Sequence, residues 1–129
     1  MSKLLEHVAR NRAYWDDLAR QYVEAGERAW ALEEPAWGIW QVPEADLQVF
    51  SGQLSDKDAI ELGCGTAYIS AWLSRRGVRV VGIDNSEAQL DTARRLQQQY
   101  GPNFPLIHGD AFCGLRHSLH HADGLGACL

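Results

Sequence analysis

Glu61-Leu62-Gly63-Cys64-Gly65-Thr66-Ala67 is the stretch of this chain best able to do chemistry. An acid and two glycines sit where an apolar run hands over to a helical pattern. Glycines are needed at such a joint because the turn is tight and the backbone must approach a ligand closely. The first N–H groups of the helix have no partner inside it and face that ligand. Two glycines alone are a weak motif. Two further carboxylates strengthen it. Asp84 ends the next apolar run, about 20 residues on, where an acid can accept both ribose hydroxyls of a nucleoside. Asp110 follows the run after that, in His108-Gly109-Asp110-Ala111. Read singly, each is an ordinary turn residue. Together they would line the carboxyl edge of a parallel sheet, where ligands of open α/β folds bind.

The elements that must position these groups can be read from periodicity. Asp58 to Leu62 is a short strand candidate, residues 66 to 76 read as helix, and Val78 to Asp84 is a strong strand candidate. Ser86 is a good N-cap for a helix over Glu87 to Gln99, and Phe104 to His108 is a third strand. Strand, helix, strand, helix, strand at this spacing predicts an α/β fold with parallel pairing and right-handed crossovers. Before it, Tyr14-Trp15, Leu18-Ala19 and Tyr22-Val23 recur at steps of four and predict a helix, with Gly26 as its break. Trp30, Pro35, Trp37, Trp40 and Pro43 mark an irregular segment packed onto something, and Pro43 can open a short helix. Tyr14, Trp15, Tyr22, Trp37 and Trp40 are expected as core aromatics, with a pocket wall as the alternative use for one of them. This gives a helical cap over 1–52, a ligand-binding half-domain over 53–111 and an atypical tail over 112–129.

Glu61 bears on what the turn would hold. A dinucleotide brings an anionic pyrophosphate, which a neighbouring carboxylate repels. Tyr68 also stands where the dinucleotide pattern has its last glycine. A cationic ligand suits the acid better. Ile60 to Ala67 resembles the first motif of class I S-adenosylmethionine-dependent methyltransferases, an apolar strand ending in an acid and then two glycines and a small residue, here Ala67. Val80-Val81-Gly82-Ile83-Asp84-Asn85-Ser86 resembles that family's second strand and ribose-binding acid, and Gly109-Asp110-Ala111 its adenine-holding segment. The resemblance implies a Rossmann-like fold and S-adenosylmethionine as cofactor, whose ammonium and sulfonium are both cationic. It implies that Glu61, Gly63, Cys64 and Gly65 lie near the methionine part, Asp84 and Asn85 near ribose and adenine, and Asp110 and Ala111 near adenine. Tyr14-Trp15-Asp16 and Glu34 to Trp40 also resemble the helical cap of bacterial members. Cys64 reads as a small buried filler, not a nucleophile. No catalytic base can be assigned, and His108 takes no role.

Composition bounds the partners. The 129 residues suffice for one small domain, and the formal net charge is -5 with basic residues scattered, which argues against nucleic acid. The N-terminus has no signal-peptide pattern and no apolar run approaches a membrane span. Three cysteines, Cys64, Cys113 and Cys128, form no paired spacing, so a reducing cytoplasm is expected. Cys113, His117, His120 and His121 fit no ordinary zinc spacing, and no metal is expected.

Residues 111 to 129 contain no Val, Ile or Thr, so the fourth strand implied by the family's order 3-2-1-4-5-7-6 is not found there. Truncation or frameshift of a longer ancestor is the expectation. The first strand would then be an edge, inviting self-association or a partner chain, and methyl transfer would be weak or absent. The leading expectation is methyl transfer to an unidentified small-molecule acceptor, by this chain or by the enzyme it derives from. The alternative is a non-enzymatic fragment that folds with a partner through that edge. A nucleotide-binding oxidoreductase is disfavoured by Glu61 and Tyr68.

Overall fold

The computed structural model describes residues 5–50 and 52–110. Ala111, the tail and its cysteines and histidines lie outside the described residues. The chain opens with helix α1 (Glu6–Leu18), a 3₁₀ turn (Ala19–Tyr22) and helix α2 (Val23–Ala31). A small antiparallel hairpin, β1 (Ala36–Trp37) and β2 (Val42–Pro43), leads into the one-turn helix α3 (Glu44–Leu47), with Pro43 at its N-cap. There follow β3 (Asp58–Leu62), α4 (Tyr68–Arg75), β4 (Arg79–Asp84), α5 (Glu87–Tyr100) and β5 (Leu106–His108). The three strands pair in parallel in the order β3-β4-β5, as the strand–helix alternation predicts.

Register places the site. Leu62 pairs with Ile83 and Asp84 with His108, so the turn after β3, the acid ending β4 and the residues after β5 emerge at one level. Ser86 caps α5, its Oγ accepting from the Gln89 N–H at 3.3 Å, which starts the helix two residues past the strand.

One core lies between the sheet and its helices. Val78, Val80, Ala71, Leu90, Ala93, Leu96 and Phe104 pack there around Trp30 of α2, which is fully buried. The Trp30 indole N–H donates to the Thr66 carbonyl at 2.7 Å, its ring stacks on Phe104, and the Arg75 guanidinium lies 6.0 Å from its centroid. Burying a tryptophan of this size is worth about 5 kcal/mol of transfer free energy as an upper bound. The N-terminal helices therefore share the core of the strand-bearing part.

Two expectations are corrected here. Gly26 does not break the helix; it lies inside α2, buried, where a Cβ would come within 2.8 Å of Thr66 Oγ1. It is glycine because α2 sits directly on the glycine turn. The aromatic face read at steps of four is not a core face either. No α1 residue is fully buried, Tyr14 is 58% and Trp40 82% exposed, and Tyr22 is also exposed. The physical reason is phase: α1 turns Val8, Arg12 and Asp16 inward, which recur at the same step of four but on a different face from Tyr14 and Trp15, and Trp40 lies in the loop between β1 and β2. Trp37 alone among the five meets the expected packing, edge-on to Trp72 and Phe50.

Among the described residues β3 has a neighbour on one side only, and Ile60 and Leu62 on its outer face are exposed. No described helix is long and apolar enough to cross a membrane.

Candidate functional site

The turn after β3 is built from left-handed backbone. Gly63, Gly65 and Ala67 take φ of 69°, 57° and 62°. A Cβ on Gly63 would meet nothing within 4 Å, and one on Gly65 only Gln89 Oε1 at 3.9 Å. Conformation, not crowding, asks for glycine, and the space above both residues is open. Ala67 holds the same conformation with a methyl group, a strain of about 1 kcal/mol. It is fully buried at the N-cap of α4.

Asp84 closes this turn. Its Oδ2 accepts from the Gly65 N–H at 2.7 Å and its Oδ1 from the Ser86 N–H at 2.8 Å. The Asp84 carbonyl accepts from the Gly109 N–H at 2.9 Å, which draws Asp110 to the same rim. Asn85 is clamped from α1. Arg12 Nε donates to the Asn85 carbonyl at 3.1 Å and to its Oδ1 at 2.8 Å, and Asn85 Nδ2 donates to the Val8 carbonyl at 3.1 Å. His108, unassigned by sequence, braces the same residue: Nε2 lies 3.1 Å from the Asn85 carbonyl and Nδ1 3.1 Å from Glu87 Oε2. One helix turn further along α1, Asp16 Oδ1 accepts from Ser86 Oγ at 2.5 Å and from the Ala88 N–H at 3.3 Å. A carboxylate from another helix thus sits on the positive end of α5.

These contacts enclose a cavity of about 580 Å³, in the range of small-ligand and cofactor sites. Gly63, Gly65, Asp84, Asn85, Gly109 and Asp110 form its rim, Ile83 and Gln89 its floor, and His7, Val8, Asn11 and Trp15 of α1 its outer wall. Five sequence-predicted residues are therefore brought together: Gly63, Gly65, Asp84, Asn85 and Asp110.

Glu61 and Cys64 are placed elsewhere. Glu61 shares the sheet face of Gly82, with which it pairs. Its Oε1 accepts from Ser70 Oγ at 2.7 Å and from the Ser70 N–H at 3.2 Å, so it fastens β3 to α4 and is not on the cavity wall. Burial pushes its carboxyl above the usual range, and the Ser70 hydrogen bonds oppose that rise. Cys64 is in the core, its N–H donating to the Ile83 carbonyl at 2.9 Å and its Sγ beside Gly82. Burial, with Glu61 and Asp84 nearby, raises its thiol pKa far above the usual cysteine value, as a filler requires and a nucleophile does not. The sequence reading missed Asn11, His7 and Gln89. Tyr14-Trp15-Asp16 was the one signal for the α1 wall, and no signal singled out Gln89.

Residues 59–125 match the sequence model of a family described as the methyltransferase domain. The chain belongs to this family. The matched range of the methyltransferase domain contains the whole glycine turn, Asp84 and Asp110. The domain is 29% identical over 84 residues to a ubiquinone biosynthesis O-methyltransferase of Pseudoalteromonas translucida, covering 63% of this chain and 36% of that protein. It is 30% identical over 77 residues to the protein of the same name from Hahella chejuensis, covering 58% of this chain and 32% of that protein. The chain thus spans about a third of the length of these curated relatives. The fold is similar to that of cofactor-bound Rv0187 from MTB, with a TM-score of 0.54 at 24% identity, over 84% of this chain and 50% of that one. The architecture of the methyltransferase domain is accordingly the Rossmann-like one, with part of that fold present in the described residues.

Proposed function

We propose that the cavity binds S-adenosylmethionine and that the domain serves methyl transfer to a small-molecule acceptor. The observation that carries this reading is Asp84. Its carboxylate takes the Gly65 N–H of the glycine turn and the Ser86 N–H at the start of α5, which fixes an acceptor for ribose hydroxyls at the end of β4. The rim offers acceptor side chains in Asp84, Asp110 and Gln89. That set fits a nucleoside with ribose hydroxyls and positive charge, and the choice against a dinucleotide rests on Tyr68, which stands where that pattern has its last glycine. This argument stands without Glu61, whose carboxylate is turned to Ser70.

S-adenosylmethionine supplies an electrophilic methyl group on a sulfonium. The chain's own residues bind and orient. Asp84 has lone pairs left for the ribose hydroxyls, Asn85 and Asp110 flank the base, and Gly63 and Gly65 admit close approach. Trp15, Asn11 and His7 supply the outer wall. Holding nucleophile and methyl group in line can supply much of the rate in such a transfer, and no general base is assigned. The two relatives named for O-methylation support an oxygen nucleophile on the acceptor.

Thermal shift tests this directly. S-adenosylhomocysteine should raise the melting temperature, NADH should leave it unchanged, and Asp84→Ala should abolish the shift. A shift with NADH and none with S-adenosylhomocysteine would overturn the reading.

A second reading rests on the unpaired side of β3 among the described residues, with Ile60 and Leu62 exposed beside it. An open strand edge accepts another strand, so the second reading is a binding fragment that pairs with a partner or its own copy. Size-exclusion chromatography with and without S-adenosylhomocysteine separates the two: a monomer in both conditions removes pairing with its own copy.

A further inference from the structure

Gln89 stands out among the described residues because its Oε1 is buried and has no hydrogen-bond partner. The residue is 5% exposed and lines the cavity from the first turn of α5. Its neighbours on the buried face of that helix are Leu90, Thr92, Ala93 and Leu96, three of them apolar, so an apolar side chain would suit the packing. A buried carbonyl without a donor lowers stability, and an exception of this kind calls for a reason.

The location supplies one. Gln89 Oε1 lies 3.9 Å from where a Gly65 Cβ would stand, and Asp84 Oδ2 lies 2.7 Å from the Gly65 N–H. Two acceptors, one charged and one neutral, converge on the same glycine. A vicinal diol brings two O–H donors to such a place. We propose that Gln89 Oε1 accepts a hydrogen bond from a ribose hydroxyl of the bound nucleoside, so that Gln89 reads the sugar alongside Asp84. The assignment rests on the nucleoside reading of the cavity, and goes beyond it by giving Gln89 a binding role and a chemical selectivity.

The test is isothermal titration of the wild-type chain, Gln89→Met and Gln89→Glu with S-adenosylhomocysteine and with its 2′-deoxy and 3′-deoxy analogues. Gln89→Met should bind S-adenosylhomocysteine about tenfold more weakly, the usual worth of one hydrogen bond at a buried acceptor. It should also lose part of the preference over one of the deoxy analogues. The melting temperature of the ligand-free Met variant should be unchanged or higher, because the orphaned carbonyl is gone. Gln89→Glu, which keeps an acceptor at that point, should retain binding. Should Gln89→Met fail to fold, Gln89→Asn withdraws the amide by one methylene and should weaken binding in the same way. Equal affinity and equal analogue preference in wild type and variant overturn the proposal while leaving the nucleoside reading intact. A Glu variant as weak as Met also overturns it. A wild-type chain that binds no S-adenosylhomocysteine removes both.

Discussion

The Asp84 carboxylate reaches across the sheet edge to the Gly65 N–H, with Oδ2 and N 2.7 Å apart. The register of β3 and β4 makes this reach short, since Leu62 pairs with Ile83 and the two residues leave the sheet side by side. The other oxygen takes the Ser86 N–H, so one side chain fixes both the glycine turn and the start of α5. Asp84→Asn would set an amide nitrogen against one of these N–H groups. We expect it to lower stability by about 1–3 kcal/mol, the penalty for a buried donor left unpaired, and to weaken S-adenosylhomocysteine binding at least tenfold. Denaturant melts and titration calorimetry on the same preparation measure the two effects.

Asp16 joins α1 to the same helix start. Its Oδ1 holds Ser86 Oγ and the Ala88 N–H, acting as a capping acid supplied from a distance. Asp16→Ala should cost about 1–2 kcal/mol, as loss of a helix cap and of a carboxylate at a helix N-terminus does. It should also speed proteolytic clipping within α1, which limited proteolysis followed by mass spectrometry would report. Unchanged stability and clipping would mean that α1 is held by Arg12 and Asn85 alone.

Gly26→Ala reverses the ordinary sign of a helix substitution. Alanine in a helix interior is normally worth up to about 1 kcal/mol over glycine. Here the new Cβ would stand 2.8 Å from Thr66 Oγ1 and 2.9 Å from Thr66 Cβ and Cγ2, and Thr66 is buried. Overpacking should destabilise by about 1–3 kcal/mol. The same substitution in a Thr66→Gly background should cost less than it does alone, and comparison of the two midpoints in urea tests it.

Glu61 makes stability depend on pH in a definite direction. Burial raises its folded pKa above the value it has in the unfolded chain, and nearby Asp84 adds to the rise. In the window between those values the folded chain holds a proton that the unfolded chain has released, so stability falls as pH climbs through it. Glu61→Gln can still accept from the Ser70 N–H and hydroxyl but carries no charge. Its melting temperature relative to wild type should therefore increase as pH rises through the mildly acidic range and then level off. A constant difference across that range would contradict the cause given for the shift.

The strand–helix alternation and the site rim were legible because they are local. Val80, Val81 and Ile83 mark β4 by β-branched residues, Ser86 marks α5 by its capping oxygen, and Gly63 and Gly65 mark the turn by their backbone freedom. Asp84, Asn85 and Asp110 follow because parallel strands end at one edge. What the sequence did not disclose depends on contacts made at long range. Gly26 looks like a helix break until α2 is seen resting on Thr66. The aromatics of α1 look like a core face until Val8, Arg12 and Asp16 are seen to take the inward side of that helix. Glu61 looks like a ligand group because strand alternation says which face it takes but not that Ser70 waits there. Gln89 looks like any polar helix residue until the floor of the cavity is in view.

The most direct test of the account is a nitrogen–proton correlation spectrum of the labelled chain titrated with S-adenosylhomocysteine. The amides of Gly63, Gly65, Asn85, Gly109 and Asp110 should shift together and saturate with one binding constant, while those of Gly38 and Gly52, which do not line the cavity, stay in place. Saturable shifts that leave Gly63, Gly65 and Asn85 unmoved would contradict it.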